Sequence, residues 1–130
     1  MKRTPMKRTP MKAGQSKRKR DATAALAKAA PVAVARAEGR CERCGLHHET
    51  VLHHRLRRMS ADRERPSNYL MLCPECHNMG DESVHANPQR SKRCGWIVEA
   101  YQEPSEVPVV RFGRTVLLDD RGGVHDQEQS

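Results

Sequence analysis

Four cysteines form two Cys-x-x-Cys pairs, Cys41 with Cys44 and Cys73 with Cys76. A histidine doublet, His53-His54, stands between the pairs, His77 follows the second pair directly, and His85 lies beyond it. Two intervening residues let both thiolates of a pair converge on one ion. Two such pairs supply the donors of a closed, structural tetrahedral zinc site. With the zinc shell complete, the histidines remain for other work. A histidine can act as a base near neutral pH or as a neutral imidazole ligand. His47 and His48 also follow the first pair; either could replace a cysteine as ligand, but four thiolates already complete the shell, so exposed loop histidines are the favoured reading.

The elements that must position these residues follow from the spacing. The pairs are separated by 28 residues, longer than the ~15–20 of a simple zinc ribbon. The zinc is therefore expected to clamp the base of an inserted hairpin. Thr50 to Leu56 reads as its first strand, Met59 to Ser67 as the loop and Tyr69 to Leu72 as the second strand. Strand alternation places His53 and His54 on opposite faces unless the strand ends there. Pro74 suits the first turn of a helix carrying His77 over Glu75 to Met79. Gly80 to Ser83 reads as a break, after which His85-Ala-Asn-Pro88 closes the motif.

Outside this stretch the pattern is plainer. Asp21 to Ala30 is alanine-rich, with Asp21 as N-cap. Pro31 breaks that helix or begins a new turn, and Val32 to Glu38 is expected as a second short helix stopped by Gly39. Gly95 to Val98 carries the single tryptophan. Val107 to Val110 and Thr115 to Leu118 read as strands, with Phe112-Gly113-Arg114 as a turn between them. Asp119 to Gly123 is a further turn and Gln127 to Ser130 a polar end.

The chain has 130 residues, of which 36% are hydrophobic and 3% aromatic, so a large core is out of reach. Small domains with thin cores commonly rely on a metal or on disulfides. Five cysteines, with no apolar leader visible, point to a reducing, cytoplasmic setting and to zinc rather than disulfides, with Cys94 as a free thiol. No apolar run approaches the ~20 residues of a membrane span. The formal charge is +8, yet residues 1–20 hold nine lysines and arginines and no acid, which leaves −1 for the remainder. Residues 1–12 repeat Met-Lys-Arg-Thr-Pro. Residues 1–20 are expected as a disordered basic arm, either touching nucleic-acid phosphates or simply solvated. Seven arginines against four acids between Arg40 and Arg65 put further positive charge near the histidine doublet.

The combination of Cys-x-x-Cys, His53-His54, Asn68 and Leu72-Cys73-x-x-Cys76-His77 resembles the HNH endonuclease family over roughly residues 36–88. The later stretches, His85-Ala-Asn-Pro88, Gly95-Trp96-Ile97-Val98, Pro108-Val109 and Val116-Leu-Leu-Asp-Asp120, are similar to HNH proteins of actinobacteria and their phages. The resemblance implies an α+β, ββα-metal domain stapled by a four-cysteine zinc site. It implies His53 as a ligand of a catalytic divalent cation (Mg, Mn, Ni or Zn) and His54 as the general base. Asn68 would pin the hairpin or assist the metal, and His77 would be a second ligand. His85 ranks below His77: eight residues along one straight helix span about 12 Å, too far to share an ion, so either the helix breaks at Gly80 and His85 folds back or His85 is not a ligand. The implied division is a basic arm (1–20), a helical segment (21–39), the nuclease domain (40–90) and a β-rich extension (91–130).

The implied activity is metal-dependent hydrolysis of DNA phosphodiesters. DNA is then the partner, with other phage proteins as further candidates and no membrane. Arg55, Arg57, Arg58, Lys17, Arg18, Lys19 and Arg20 are the expected nucleic-acid contacts. A non-catalytic zinc-knuckle binding protein fits the same basic residues, and a zinc-stapled phage assembly or regulatory factor is a third reading. Redox chemistry by the cysteine pairs is disfavoured, since no βαβ pattern surrounds them.

Overall fold

The computed structural model of this chain describes residues 16–46, 49–57 and 61–127. The repeat and the rest of residues 1–15, with His47, His48 and Arg58, lie outside the described residues. So does the end of the chain from residue 128 on. Among the described residues the architecture is small α+β, with one long helix, one short helix and two small antiparallel sheets. Among the described residues, no helix is long and apolar enough to cross a membrane.

Helix α1 spans Lys17–Ala37 without interruption. This corrects two expectations. Its N-cap is Ser16, whose hydroxyl accepts from the Lys19 amide at 3.2 Å, so Lys17 to Arg20 form the first helical turn rather than the end of a free arm. A serine hydroxyl satisfies an orphan N–H as well as the aspartate expected at position 21, and Asp21 instead pairs with Lys17 across one turn at 2.9 Å. Pro31 sits inside the helix without ending it. The hydrogen bond it cannot make would fall on Ala27, and both residues are exposed, so water can replace it. The helix ends at Glu38, which adopts the left-handed conformation at φ 55° with its N–H on the Val34 carbonyl.

Strands β1 (Val51–His54) and β2 (Tyr69–Leu72) form the hairpin, with His53 opposite Leu70 and His54 opposite Tyr69. All four residues of β2 are buried, because each face of this strand has its own cover. Tyr69 and Met71 pack on Ala29, Ala33 and Ala37 of α1, where small side chains allow close approach. Leu70 and Leu72 face the other core, made with Val84, Trp96, Val109, Val116 and Leu118. The last three belong to the tail of the chain. There β3 (Val109–Arg111), β4 (Arg114–Leu118) and β5 (Val124–Asp126) form an antiparallel sheet in the order β3-β4-β5. The β3–β4 turn holds Phe112 and Gly113 at positive φ, with the Phe112 ring stacked between the guanidinium groups of Arg40 and Arg111 at 4.6 and 4.4 Å.

Two of the buried charged residues, Glu42 and Arg55, join these layers. Glu42, in the turn between Cys41 and Cys44, receives the Arg36 guanidinium bidentately at 2.8 Å and Arg111 at 2.8 Å. It also accepts from the Met71 amide at 2.9 Å. Burial acts against its charge, but the arginines outweigh that and hold its carboxyl below the usual range. One carboxylate thus connects the cysteine turn, α1, β2 and β3. Glu42→Ala is expected to cost about 3–5 kcal/mol, because Arg36 would be left charged and buried. Chemical denaturation measures it, and a loss within the ~0.5 kcal/mol of an ordinary surface change would contradict this role.

Arg55 is the second of these residues, 1% exposed. Its guanidinium donates to the carbonyls of Gly95, Ser67, Pro104 and Val107 at 2.7 to 3.0 Å. The expected phosphate contact by Arg55 is therefore corrected: four backbone carbonyls hold it inside, where it ties the hairpin to the segment after Cys94. Gly95 serves the same junction. Its φ is 77°, and a Cβ there would lie 1.9 Å from the Pro108 carbonyl oxygen. Gly95→Ala is expected to destabilise by more than the ~3 kcal/mol upper end of typical substitutions. A thermal melt shifted by only a degree or two would contradict it.

Candidate metal centres and the histidine-lined cleft

The thiol sulfurs of Cys41, Cys44, Cys73 and Cys76 lie within 4.8 Å of one another. They form a potential metal site whose donor set suits a structural zinc. The local backbone explains the convergence. Gly45, at φ 80°, turns the chain after the first pair, and its N–H bonds the Cys41 carbonyl at 2.8 Å. The amides of Arg43 and Cys44 point at the Cys41 sulfur at 3.4 and 3.5 Å. Burial would raise the Cys41 thiol, but the backbone donors of Cys44, Cys73 and Arg43 outweigh it and bring it down to about 7. Burial and the neighbouring Cys41 push Cys76 up. Cys94 is free and lies outside the cluster.

The second cluster joins His53, His77 and His85, whose ring nitrogens also lie within 4.8 Å of one another. His77 stands on a short π-helical turn, Glu75–Met79, in place of the regular helix expected there. Gly80 ends that turn in extended backbone, and its N–H bonds the Glu75 carbonyl at 3.1 Å. A Cβ on Gly80 would meet that same carbonyl oxygen at 3.0 Å, so glycine suits the close passage. The chain then folds back. Val84 N–H reaches the Cys76 carbonyl at 2.8 Å and His85 N–H the His77 carbonyl at 3.1 Å. The straight-helix separation of about 12 Å does not arise: of the two alternatives, the chain breaks at Gly80 and His85 folds back to His77.

The chemistry of these nitrogens fits a cation. His77 Nε2 and His85 Nε2 are 3.1 Å apart. Without an ion, one ring's N–H can donate to the other at this distance, and two nitrogens on a tetrahedral zinc at 2.0–2.1 Å lie about 3.3 Å apart, so the same spacing also accommodates a cation. His53 is held from behind, with Nε2 donating to the Trp96 carbonyl at 2.7 Å, which leaves Nδ1 as its lone-pair nitrogen. Burial lowers His53 to about 4 and also lowers His77, assisted there by His85. Neutral imidazoles are the ligating form. His77→Ala and His85→Ala are expected to weaken divalent-metal binding at this cluster to a similar degree, at least tenfold each. Calorimetric titration of metal into both variants checks this, and wild-type affinity in His85→Ala would contradict it.

His54 lies on the opposite face of β1, yet it lines the same open cleft of about 770 Å³ as His53, His77 and His85. Its Nε2 meets Glu64 Oε1 at 2.9 Å. Asn68, wholly buried, pins the hairpin by a reciprocal pair with Leu56. Its amide also donates to the Arg63 carbonyl, so it contributes no ligand to the cluster. Arg57 and Arg63 line the cleft; Arg57 was anticipated and Arg63 was not. Lys17 to Arg20 lie on the first turn of α1, away from the cleft lining. Glu64 and the Trp96 carbonyl had no signal in the sequence, since each reaches its histidine from a distant loop. No protein-family model, curated protein or solved structure matches this chain.

Proposed function

We propose that this chain is a metal-dependent endonuclease of the HNH type, hydrolysing phosphodiester bonds of DNA. The observation that carries the reading is the three-histidine cluster in an open cleft with a fourth histidine beside it. A four-cysteine site alone serves a binding module equally well; the histidine cluster in an open cleft is what favours the nuclease reading over it. In this reading His53, His77 and His85 hold a divalent cation, and the hairpin plus the turn bearing His77 make the ββα-metal unit. A cation held there would supply charge stabilisation at the scissile phosphate and the leaving oxygen. His54 takes the proton from the attacking water through the ring nitrogen that Glu64 leaves free. Arg57 and Arg63 place positive charge along the cleft for the phosphate backbone. Gel-shift and plasmid-conversion assays on one protein sample, chelated and then given Mg, Mn, Ni or Zn, separate the readings. Conversion restored by a metal supports the nuclease. Binding without conversion under every metal would leave the zinc-knuckle binding module.

A further inference from the structure

Among the described residues, Glu64 is the carboxylate in contact with a histidine of the cleft. It stands on the loop just before Pro66, and its side chain is wholly buried. His54 Nε2 reaches its Oε1 at 2.9 Å, and the Tyr69 hydroxyl donates to the same oxygen at 2.6 Å. The rings of His54 and Tyr69 pack edge to face at 5.2 Å. Since His54 and Tyr69 are cross-strand partners in the β1–β2 register, the hairpin itself brings the hydroxyl and the imidazole to one carboxylate oxygen. Asn68 holds the loop in place from its other side through the Arg63 carbonyl, next to Glu64.

We propose that Glu64 is a positioning residue for His54: it fixes the imidazole as the Nε2–H tautomer and turns the Nδ1 lone pair to the cleft. A carboxylate oxygen only accepts, so a neutral imidazole bonded to it must carry its proton on Nε2. The remaining nitrogen, Nδ1, is then the one able to take a proton from water. The buried oxygen also restrains the ring against rotation about its side-chain bonds. The same relation of carboxylate, imidazole and reacting group recurs in unrelated hydrolases, where a wrong tautomer is costly even when the geometry survives. Glu64 touches neither substrate nor metal in this scheme and acts only through His54. The assignment of a catalytic consequence rests on the nuclease reading; the assignment of the tautomer does not.

The test uses the full chain, zinc-loaded, with 15N-labelled histidine in mildly alkaline buffer. Long-range proton–nitrogen correlation distinguishes a protonated ring nitrogen from a bare one. Wild type should show His54 with Nε2 protonated and Nδ1 bare, and Tyr69→Phe, which keeps the carboxylate, should show the same. Glu64→Ala should give a mixture of tautomers. Plasmid conversion by it should fall about ten- to a hundredfold, in kcat rather than KM, with metal binding at the three-histidine cluster unchanged. Should Glu64→Ala fail to fold, Glu64→Leu with Tyr69→Phe replaces both buried partners by apolar groups of similar shape, an exchange that can be nearly neutral for stability. It is expected to show the same mixture and the same loss. A folded variant lacking the carboxylate whose His54 keeps wild-type ring signals would overturn the proposal. If wild type converts no plasmid at all, the nuclease reading falls, and the ring nitrogens alone still decide whether Glu64 sets the tautomer.

Discussion

Cys41→Ser and Cys76→Ser are each expected to lose the sulfur-bound metal and, with it, the folded middle of the chain. Cys41 and Cys73 are buried in the core that contains Leu70, Leu72, Val84 and Trp96. The cysteine cluster also anchors both ends of the segment carrying the hairpin: Cys41 precedes it and Cys73 follows β2 directly. Structural zinc in small domains supplies about 10–16 kcal/mol of apparent binding energy at neutral pH. The whole stability of a domain this size is about 5–15 kcal/mol, so losing the ion removes a comparable amount. Without it, four thiols crowd within 4.8 Å and the turns that gather them have no common partner. Cobalt substitution reads this site separately from the histidines, because the thiolate-to-cobalt absorption reports sulfur ligation only. The variants should lack that band and melt without a cooperative transition. A variant with a full band and a sharp melt would show that the four cysteines do not act as one site.

His54→Ala is expected to lower plasmid conversion by about 10² to 10⁴, the range over which a positioned base contributes. The chain should remain folded. His54 lies at the end of β1, it is not among the buried residues, and Glu64 keeps the Tyr69 hydroxyl. The metal should also remain, since the three-histidine cluster is built on the other face of the strand. Equal DNA affinity in gel shift, with wild-type metal content, would place the loss in the chemical step. Conversion within about threefold of wild type would take the role of base away from His54.

Much of the site was legible because its parts are local. A run of Tyr69, Leu70, Met71 and Leu72 between turn signals specified β2 to the residue, and Gly45 marked the turn after the first cysteine pair. Gly80 marked the break that brings His85 back to His77. The sequence left open whether the helix ran straight or broke there, and a π-helical turn with an extended glycine decides it by reversing the chain within a few residues. What could not be read depends on contacts between distant segments. Arg55 looks like any other member of an arginine cluster until four carbonyls from three loops surround it. Glu64 is one acid in a polar loop until the hairpin register sets it against His54 and Tyr69. Lys17 to Arg20 have no apolar periodicity, so their sequence suggests a helix start at Asp21, and the Ser16 cap decides otherwise. Helix α2 (Pro88–Arg93) and strand β5 were not anticipated at all. The first is a short polar stretch and the second is wholly exposed, so neither carries a hydrophobic pattern to betray it.

The most direct measurement is the initial rate of supercoiled-plasmid conversion as a divalent metal is titrated into chelated protein, with wild type, His85→Ala and His54→Ala side by side. Wild type should gain activity along a saturable curve. His85→Ala should need at least tenfold more metal to reach its plateau, because one of three ligands is gone. His54→Ala should bind metal on the wild-type curve and yet stay at least a hundredfold slower at saturation. If wild type shows no metal-dependent conversion under any of Mg, Mn, Ni or Zn, the account of this cleft as a nuclease centre is contradicted.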